Sequence, residues 1–270
     1  METATTRPFA VVTGASSGIG YEIARVLGND GFDLLIAAED AELDEAKEDL
    51  REFTSVDSVR VDLGRPEDVE RLHEEIVGKH RPVDALVLNA GIGAGGAFAG
   101  GTALEDEMKL IDLNVRSTVH LCKLEVEPMV ARDEGRILFT SSVASTMPGA
   151  YQAVYNASKS FVQSFALALR NELKGTNVTV TSLMPGPTDT EFFERADLED
   201  TKLGSGDKDD PSLVAEQGVE AMLQGEERVV GGGIKNKLQV AASRLMHDSA
   251  KAEMHRKMAE PGSGEKEEGK

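Results

Sequence analysis

Cysteine is almost missing from this chain. Cys122 is the only one in 270 residues, so no disulfide within the chain is possible. It lies in a helical apolar pattern beside His120 and Leu121. With no activating neighbour in the pattern, it reads as a buried inert thiol rather than a nucleophile. The five histidines do not cluster at metal-ligand spacing. No apolar run is long enough to cross a bilayer, and Met1 to Phe9 hold no signal-peptide stretch. The expected location is the cytoplasm. Basic charge is also short: 29 Lys and Arg stand against 48 Asp and Glu, a formal net charge of -19. That balance argues against general nucleic-acid binding, which needs a positive footprint.

What is present is an alternation of short apolar runs with longer amphipathic stretches. Strands are expected at Phe9–Thr13, Phe32–Ala38, Val59–Asp62, Val83–Asn89, Arg136–Thr140, Val178–Leu183 and Arg228–Val230. Helices are expected from Gly18 to Asn29, Glu42 to Phe53, from Pro66 onward, and over Leu104–Val130, Tyr151–Leu173 and Pro211–Leu223. The strands lack polar alternation, as strands buried on both faces do. Regular βα alternation predicts an α/β fold: one doubly wound parallel sheet of the Rossmann type, with helices on both faces. Ligands of such sheets sit beyond the carboxyl ends of the strands.

Two segments depart from this rhythm. Residues 187–210 are polar and rich in Gly and Asp, and read as a flap over a site. The βα pattern of residues 1–233 closes near Gly233, and residues 234–270 form a basic extension. There Leu238, Ala242, Leu245, Met246, Ala250, Met254 and Met258 suggest one weakly apolar helical stripe. Docking on the core or on a partner subunit suits it better than a membrane surface, since its apolar face has no large aromatics. Pro261 to Lys270 is charged and reads as a disordered tail.

The segment Thr13-Gly-Ala-Ser-Ser-Gly-Ile-Gly20 follows the first strand and opens a helix. Gly14 suits a sharp turn, Gly18 a close approach of backbone to a pyrophosphate, and Gly20 tight packing of helix on sheet. The helix start offers free N–H groups and a positive dipole end, and Ser16 and Ser17 add hydroxyl donors. Glu39 ends the second strand, where a carboxylate can accept from ribose hydroxyls and repel a 2′-phosphate. Glu39 and Asp40 also suit the opening of the next helix, and both readings stand.

Tyr155 and Lys159 are four apart on one helix face. A phenol titrates near pH 10 (roughly) and is a poor base at neutrality. A nearby ammonium would favour the phenolate. Ser142, just past the fifth strand, could polarise a substrate oxygen.

With these residues in this order, the chain resembles the short-chain dehydrogenase/reductase family from about Arg7 to Val230. Gly14, Ser16, Ser17, Gly18, Ile19 and Gly20 look like its cofactor turn, and Asp62-Leu63 like its adenine contact. Asn89, Ala90 and Gly91 look like its motif after the fourth strand, with Leu88 in place of an expected Asn. Asn114 matches its proton-relay Asn. Ser142, Tyr155 and Lys159 match its catalytic set, with Ser141 the less suitable neighbour of Ser142. Pro185, Gly186, Thr188 and Thr190 look like the segment that holds the nicotinamide amide.

The resemblance implies a NAD(P)-dependent oxidoreductase that moves a hydride between nicotinamide and a carbonyl or secondary alcohol, without a metal. Tyr155 would give or take the proton, Ser142 hold the oxygen, Lys159 lower the Tyr155 pKa, and Asn114 hold a water. No Arg or Lys stands at Ser17 or Glu39, as NADP users commonly have, and Ala38 stands where NAD users often carry Asp. Glu39 inclines the expectation to NAD. A 3-oxoacyl-thioester reductase is the specific alternative, and a catalytically silent dinucleotide-binding sensor or scaffold the alternative of another class. Family members usually form homodimers or homotetramers through long helices, where Phe161, Phe165, Ala168 and Leu169 offer apolar surface here.

Overall fold

The computed structural model describes residues 7–243 and 245–264. Seven strands form one parallel sheet: β1 (Phe9–Thr13), β2 (Asp33–Ala38), β3 (Val56–Arg60), β4 (Ala85–Leu88), β5 (Gly135–Thr140), β6 (Val178–Pro185) and β7 (Arg228–Gly231). Their spatial order is β3-β2-β1-β4-β5-β6-β7. The order reverses between β1 and β4, which makes the crevice expected of a doubly wound sheet.

Both faces of the central strands are buried, so they read as continuous apolar runs. Along β1, Val11 enters the core under one helical layer while Ala10 and Val12 enter the core under the other. Strand β3 is the exception. It pairs Val56 through Arg60 with β2, three residues earlier than expected. It is an edge strand with polar Asp57 and Ser58 inside it, so its apolar signal was weak.

One layer of helices holds α1 (Gly18–Asn29), α2 (Glu42–Leu50) and α9 (Pro211–Leu223). The other holds α3 (Pro66–Gly78), α5 (Thr118–Ala131) and α6 (Ala153–Glu172). The helix expected over Leu104–Val130 is divided. α4 (Leu104–Ile111) passes into a π-helical turn over Asp112–Ser117 before α5 begins. Within it Ser117 Oγ donates to the Leu113 carbonyl and Thr118 Oγ1 to the Asn114 carbonyl, hydroxyl bonds of the kind that disturb a helix ladder.

The flap is not a bare loop. It carries α7 (Phe192–Arg195) and α8 (Lys202–Ser205), and closes its own small core of Phe193, Ala196 and Leu198. The extension is two helices rather than one stripe: α10 (Ile234–Ser243) and α11 (Asp248–Ala259). Leu238 and Leu245, expected on the apolar face, are 65% and 91% exposed, while Asn236, Val240, His255 and Ala259 are buried. Polar side chains with specific partners replaced the apolar face, which periodicity cannot foresee. Gly262, Ser263 and Gly264, read by composition as disordered tail, bond to the flap at Asp200 and Lys202. Residues 265–270 of that tail lie outside the described residues. No helix among the described residues is long and apolar enough to cross a membrane.

Candidate active site

The carboxyl ends of the strands open onto a cavity of about 460 Å³. Its base is the glycine turn between β1 and α1. Gly14 adopts φ +65°, and a side chain there would strike the Ala90 backbone. Gly20 backs onto the Gly14 carbonyl too closely for any side chain. Asn89 reaches over from β4, and its Nδ2 donates to the Thr13 and Gly14 carbonyls at 3.1 Å each. Asn89 therefore shapes the turn as well as lining the cavity. The start of α1 has no side-chain cap and no acidic residue in its first turn. Its N–H groups and dipole are left free for an anion such as a pyrophosphate.

At the end of β2 two acids part company. Glu39 is half-exposed and pairs with Lys109 at 3.5 Å. Asp40 turns inward: its Oδ2 accepts from Ser16 Oγ at 2.9 Å, and its Oδ1 is buried with no partner among the described residues. That oxygen is closed off from the open cavity, so Asp40 contributes its charge there rather than a direct contact. Beyond β3, Asp62 Oδ1 accepts from the Gly64 N–H at 2.9 Å, and Leu63 is buried beside it.

At the other end of the cavity lie Ser142, Tyr155 and Lys159, all buried. Ser142 opens a short 3-10 turn over Val143–Thr146, where its Oγ accepts from the Ala144 N–H. Ser141 has a different task, since its Oγ donates to the Lys159 carbonyl at 3.0 Å and braces α6. Burial pushes the Tyr155 phenol up to about 12, against a smaller pull downward from the Ser142 hydroxyl. Burial takes Lys159 down to about 8. Its Nζ donates to the Thr140 carbonyl at 3.0 Å and lies 5.9 Å from the centroid of the Tyr155 ring. The lowering that Tyr155 does receive comes from the Ser142 hydroxyl rather than from Lys159, and burial sets the direction of its shift.

Asn114 sits in the π-helical turn and alone among the singled-out residues does not line the cavity. Its Oδ1 accepts from the Ile92 N–H, and its Nδ2 donates to the Ile92 carbonyl and to Ser158 Oγ, at 2.9, 2.9 and 3.1 Å. It braces the loop after β4 against α6. Ile19, Ala90, Gly91, Pro185, Gly186, Thr188 and Thr190 all line the cavity, with Thr188 Oγ1 donating to the Gly186 carbonyl.

Among the cavity residues that sequence reasoning missed are Asp40, Gln152, His255 and Met258. Asp40 was given only a helix-opening role. Gln152, at the N-terminal edge of α6, is 5% exposed, and its side chain has no hydrogen-bond partner among the described residues. His255 and Met258 arrive from α11. The short spacing of Gln152 to Tyr155 was available as a signal, but nothing local ties α11 to the site.

The model of the short chain dehydrogenase family matches residues 8–200. An uncharacterised oxidoreductase of Staphylococcus saprophyticus is 33% identical over 219 residues, 80% of this chain and 91% of its own length. An NADP-dependent 3-hydroxy acid dehydrogenase of Salmonella typhi is 33% identical over 215 residues, 78% of this chain and 86% of its own. Among solved structures, a short-chain dehydrogenase from Sphingobium yanoikuyae in complex with NADPH superposes with a TM-score of 0.77 at 26% identity, covering 88% of this chain and 95% of that one. With the sheet order, the glycine turn and the Ser142, Tyr155 and Lys159 cluster already in place, the chain belongs to the short-chain dehydrogenase family and is an oxidoreductase acting between carbonyl and alcohol groups.

Proposed function

We propose that this NAD(P)-dependent oxidoreductase uses Tyr155 as general acid and base for the substrate oxygen. The observation that carries the assignment is a buried phenol, held protonated, sharing one cavity with Ser142 and with the glycine turn. The nicotinamide supplies or takes the hydride when bound. In reduction Tyr155 gives its proton to the carbonyl oxygen as the hydride arrives at carbon, leaving a phenolate and an alcohol. Oxidation reverses both transfers. Ser142 holds the oxygen by a hydrogen bond that strengthens as negative charge develops. Lys159 lies on the same helix face and would support the phenolate once it forms, and its ammonium would be placed to donate to a ribose hydroxyl of the bound dinucleotide. Asn114 positions the loop after β4 and the helix bearing Tyr155.

The dinucleotide would lie along the glycine turn, with Ser16, Ser17 and the start of α1 at its pyrophosphate. Asp62, Leu63, Ala90 and Gly91 would flank the adenosine half, and Pro185, Gly186, Thr188 and Thr190 the nicotinamide. The pair Glu39 and Asp40 favours NAD: Glu39 is open to a ribose hydroxyl, and the two carboxylates together repel a 2′-phosphate. The relative named for NADP and the NADPH-bound neighbour point the other way, and the acids of this chain support NAD.

The substrate is a small carbonyl or secondary alcohol. A homodimer or homotetramer would use the apolar face formed by Phe98, Ile111, Val115, Val154 and Phe161, where Phe98 is 66% and Phe161 42% exposed. A cytoplasmic location suits the single free, buried thiol. A panel of aldehydes, ketones, alcohols and acyl thioesters with both cofactors, followed by nicotinamide absorbance, tests the reading. Turnover of none of them would overturn it. Turnover of acyl thioesters alone would narrow it to a 3-oxoacyl-thioester reductase.

A further inference from the structure

The roof of the cavity is made by the end of the chain. α11 is fastened at both sides of the opening. On one side Tyr151, just ahead of α6, donates from its hydroxyl to Glu260 Oε1 at 2.9 Å, with the Arg256 guanidinium 5.5 Å from its ring centroid. On the other, Gly262 and Gly264 donate through their backbone N–H groups to Asp200 of the flap at 2.8 Å each. Tyr151 takes φ +64°, an uncommon backbone state for a bulky residue, so the surrounding contacts must hold it there.

His255 projects from this helix into the cavity and is 3% exposed. One ring nitrogen, Nδ1, lies 2.9 Å from the Ala150 carbonyl oxygen. A carbonyl only accepts, so Nδ1 carries the proton. Burial holds the ring below its ordinary pKa, which leaves Nε2 as a lone-pair acceptor with no partner among the described residues. Gln152, two residues beyond Ala150, brings a second buried polar side chain without a protein partner to the same cavity. Neither group is sealed inside the protein: both reach the open space of the cavity, where a ligand can meet them.

We propose that His255 is a specificity-determining residue whose Nε2 accepts a hydrogen bond from a hydroxyl group of the substrate, remote from the carbonyl that is reduced. The preferred substrate class is therefore hydroxy-substituted ketones and aldehydes, and the diols they yield. This rests on the reading of the cavity as the site of carbonyl reduction. Once a bound substrate shuts the acceptor off from water, the site discriminates against an analogue lacking the donor, because that analogue leaves the acceptor unpaired.

The test uses the full chain with its preferred nicotinamide cofactor. Straight-chain ketones are each paired with analogues bearing one hydroxyl at successive positions beyond the carbonyl. The wild type is expected to favour at least one hydroxyketone over its parent by about tenfold or more in kcat/KM, mostly through KM. Two variants separate the nitrogen from the packing: His255→Phe keeps a ring in the space, and His255→Asn keeps a donor for Ala150. In both, the preference should fall to near parity while the parent ketone is still turned over and dinucleotide binding is unchanged. A hydroxyl preference that survives in both variants overturns the proposal, as does a wild type indifferent to the hydroxyl. So does a preference for ketoacids removed by the same substitutions, since it would make His255 a cation. A wild type that reduces no ketone or aldehyde at all sinks the proposed function, a result distinct from turnover without discrimination.

Discussion

The Phe192 ring, on the flap, lies 5.2 Å centroid to centroid from the Tyr155 ring and tilts against it by 50°. Phe192 thereby packs against the phenol whose pKa burial raises, which predicts that this ring helps to keep water from it. Phe192→Ala should let water reach Tyr155 and lower its pKa from about 12 towards the ordinary phenol value. Phenolate absorbance in a pH titration, read as the difference from Phe192→Ala carrying Tyr155→Phe as well, measures this. An unmoved titration would mean that the flap does not control the phenol.

Tyr155→Phe removes the transferable proton and little volume. Turnover should drop by about 10²–10⁴ or more while dinucleotide affinity stays near that of the wild type. Steady-state rates and equilibrium binding, measured side by side, separate the two. Turnover equal to the wild type would end the assignment of Tyr155.

Lys159 couples the site to stability. Its folded-state pKa is depressed to about 8 from 10.5, so the unfolded chain binds more protons between those values. Stability contributed by this group is present above about pH 10.5 and is lost as pH falls through about 8, where burying the ammonium costs on the order of 3 kcal/mol. Lys159→Met should therefore gain in Tm over the wild type most at about pH 7, and less at about pH 9.5. Activity should fall in the same variant. A Tm difference that does not change with pH would show that Lys159 is not buried as a charge.

Cofactor choice follows the two acids past β2. Glu39→Arg combined with Asp40→Ser should raise the ratio of kcat/KM for NADP over NAD by about tenfold or more, since a repelling pair becomes an attracting guanidinium. An unchanged ratio would place discrimination elsewhere.

Assembly through the face of α4 and α6 predicts that Phe161→Glu, at a 42% exposed position, shifts the chain toward monomer in light scattering. Activity of the remaining folded protein tells whether the site depends on assembly.

The sheet was legible because its central strands are apolar on both faces and each turn announced itself by composition. Gly14, Gly20 and Tyr155 were legible because each follows or opens an element at a spacing fixed by local geometry. The edge strand β3 was displaced because Asp57 and Ser58 diluted its pattern. The balance at Tyr155 was not legible, since motif spacing places a lysine near a phenol but says nothing about how dry the pair becomes. His255 was hidden for a topological reason: only the return of α11 across the flap brings it to Ala150, and no local pattern encodes that return.

The backbone N–H of Gly264 bonded to the Asp200 carbonyl has a practical corollary. That bond ties the segment after α11 to the flap, so neither can move without the other. A substitution that frees Gly264 from Asp200 would loosen α11, and with it His255, from the cavity, whereas Arg7 ahead of β1 lies at the amino ends of the strands, away from it.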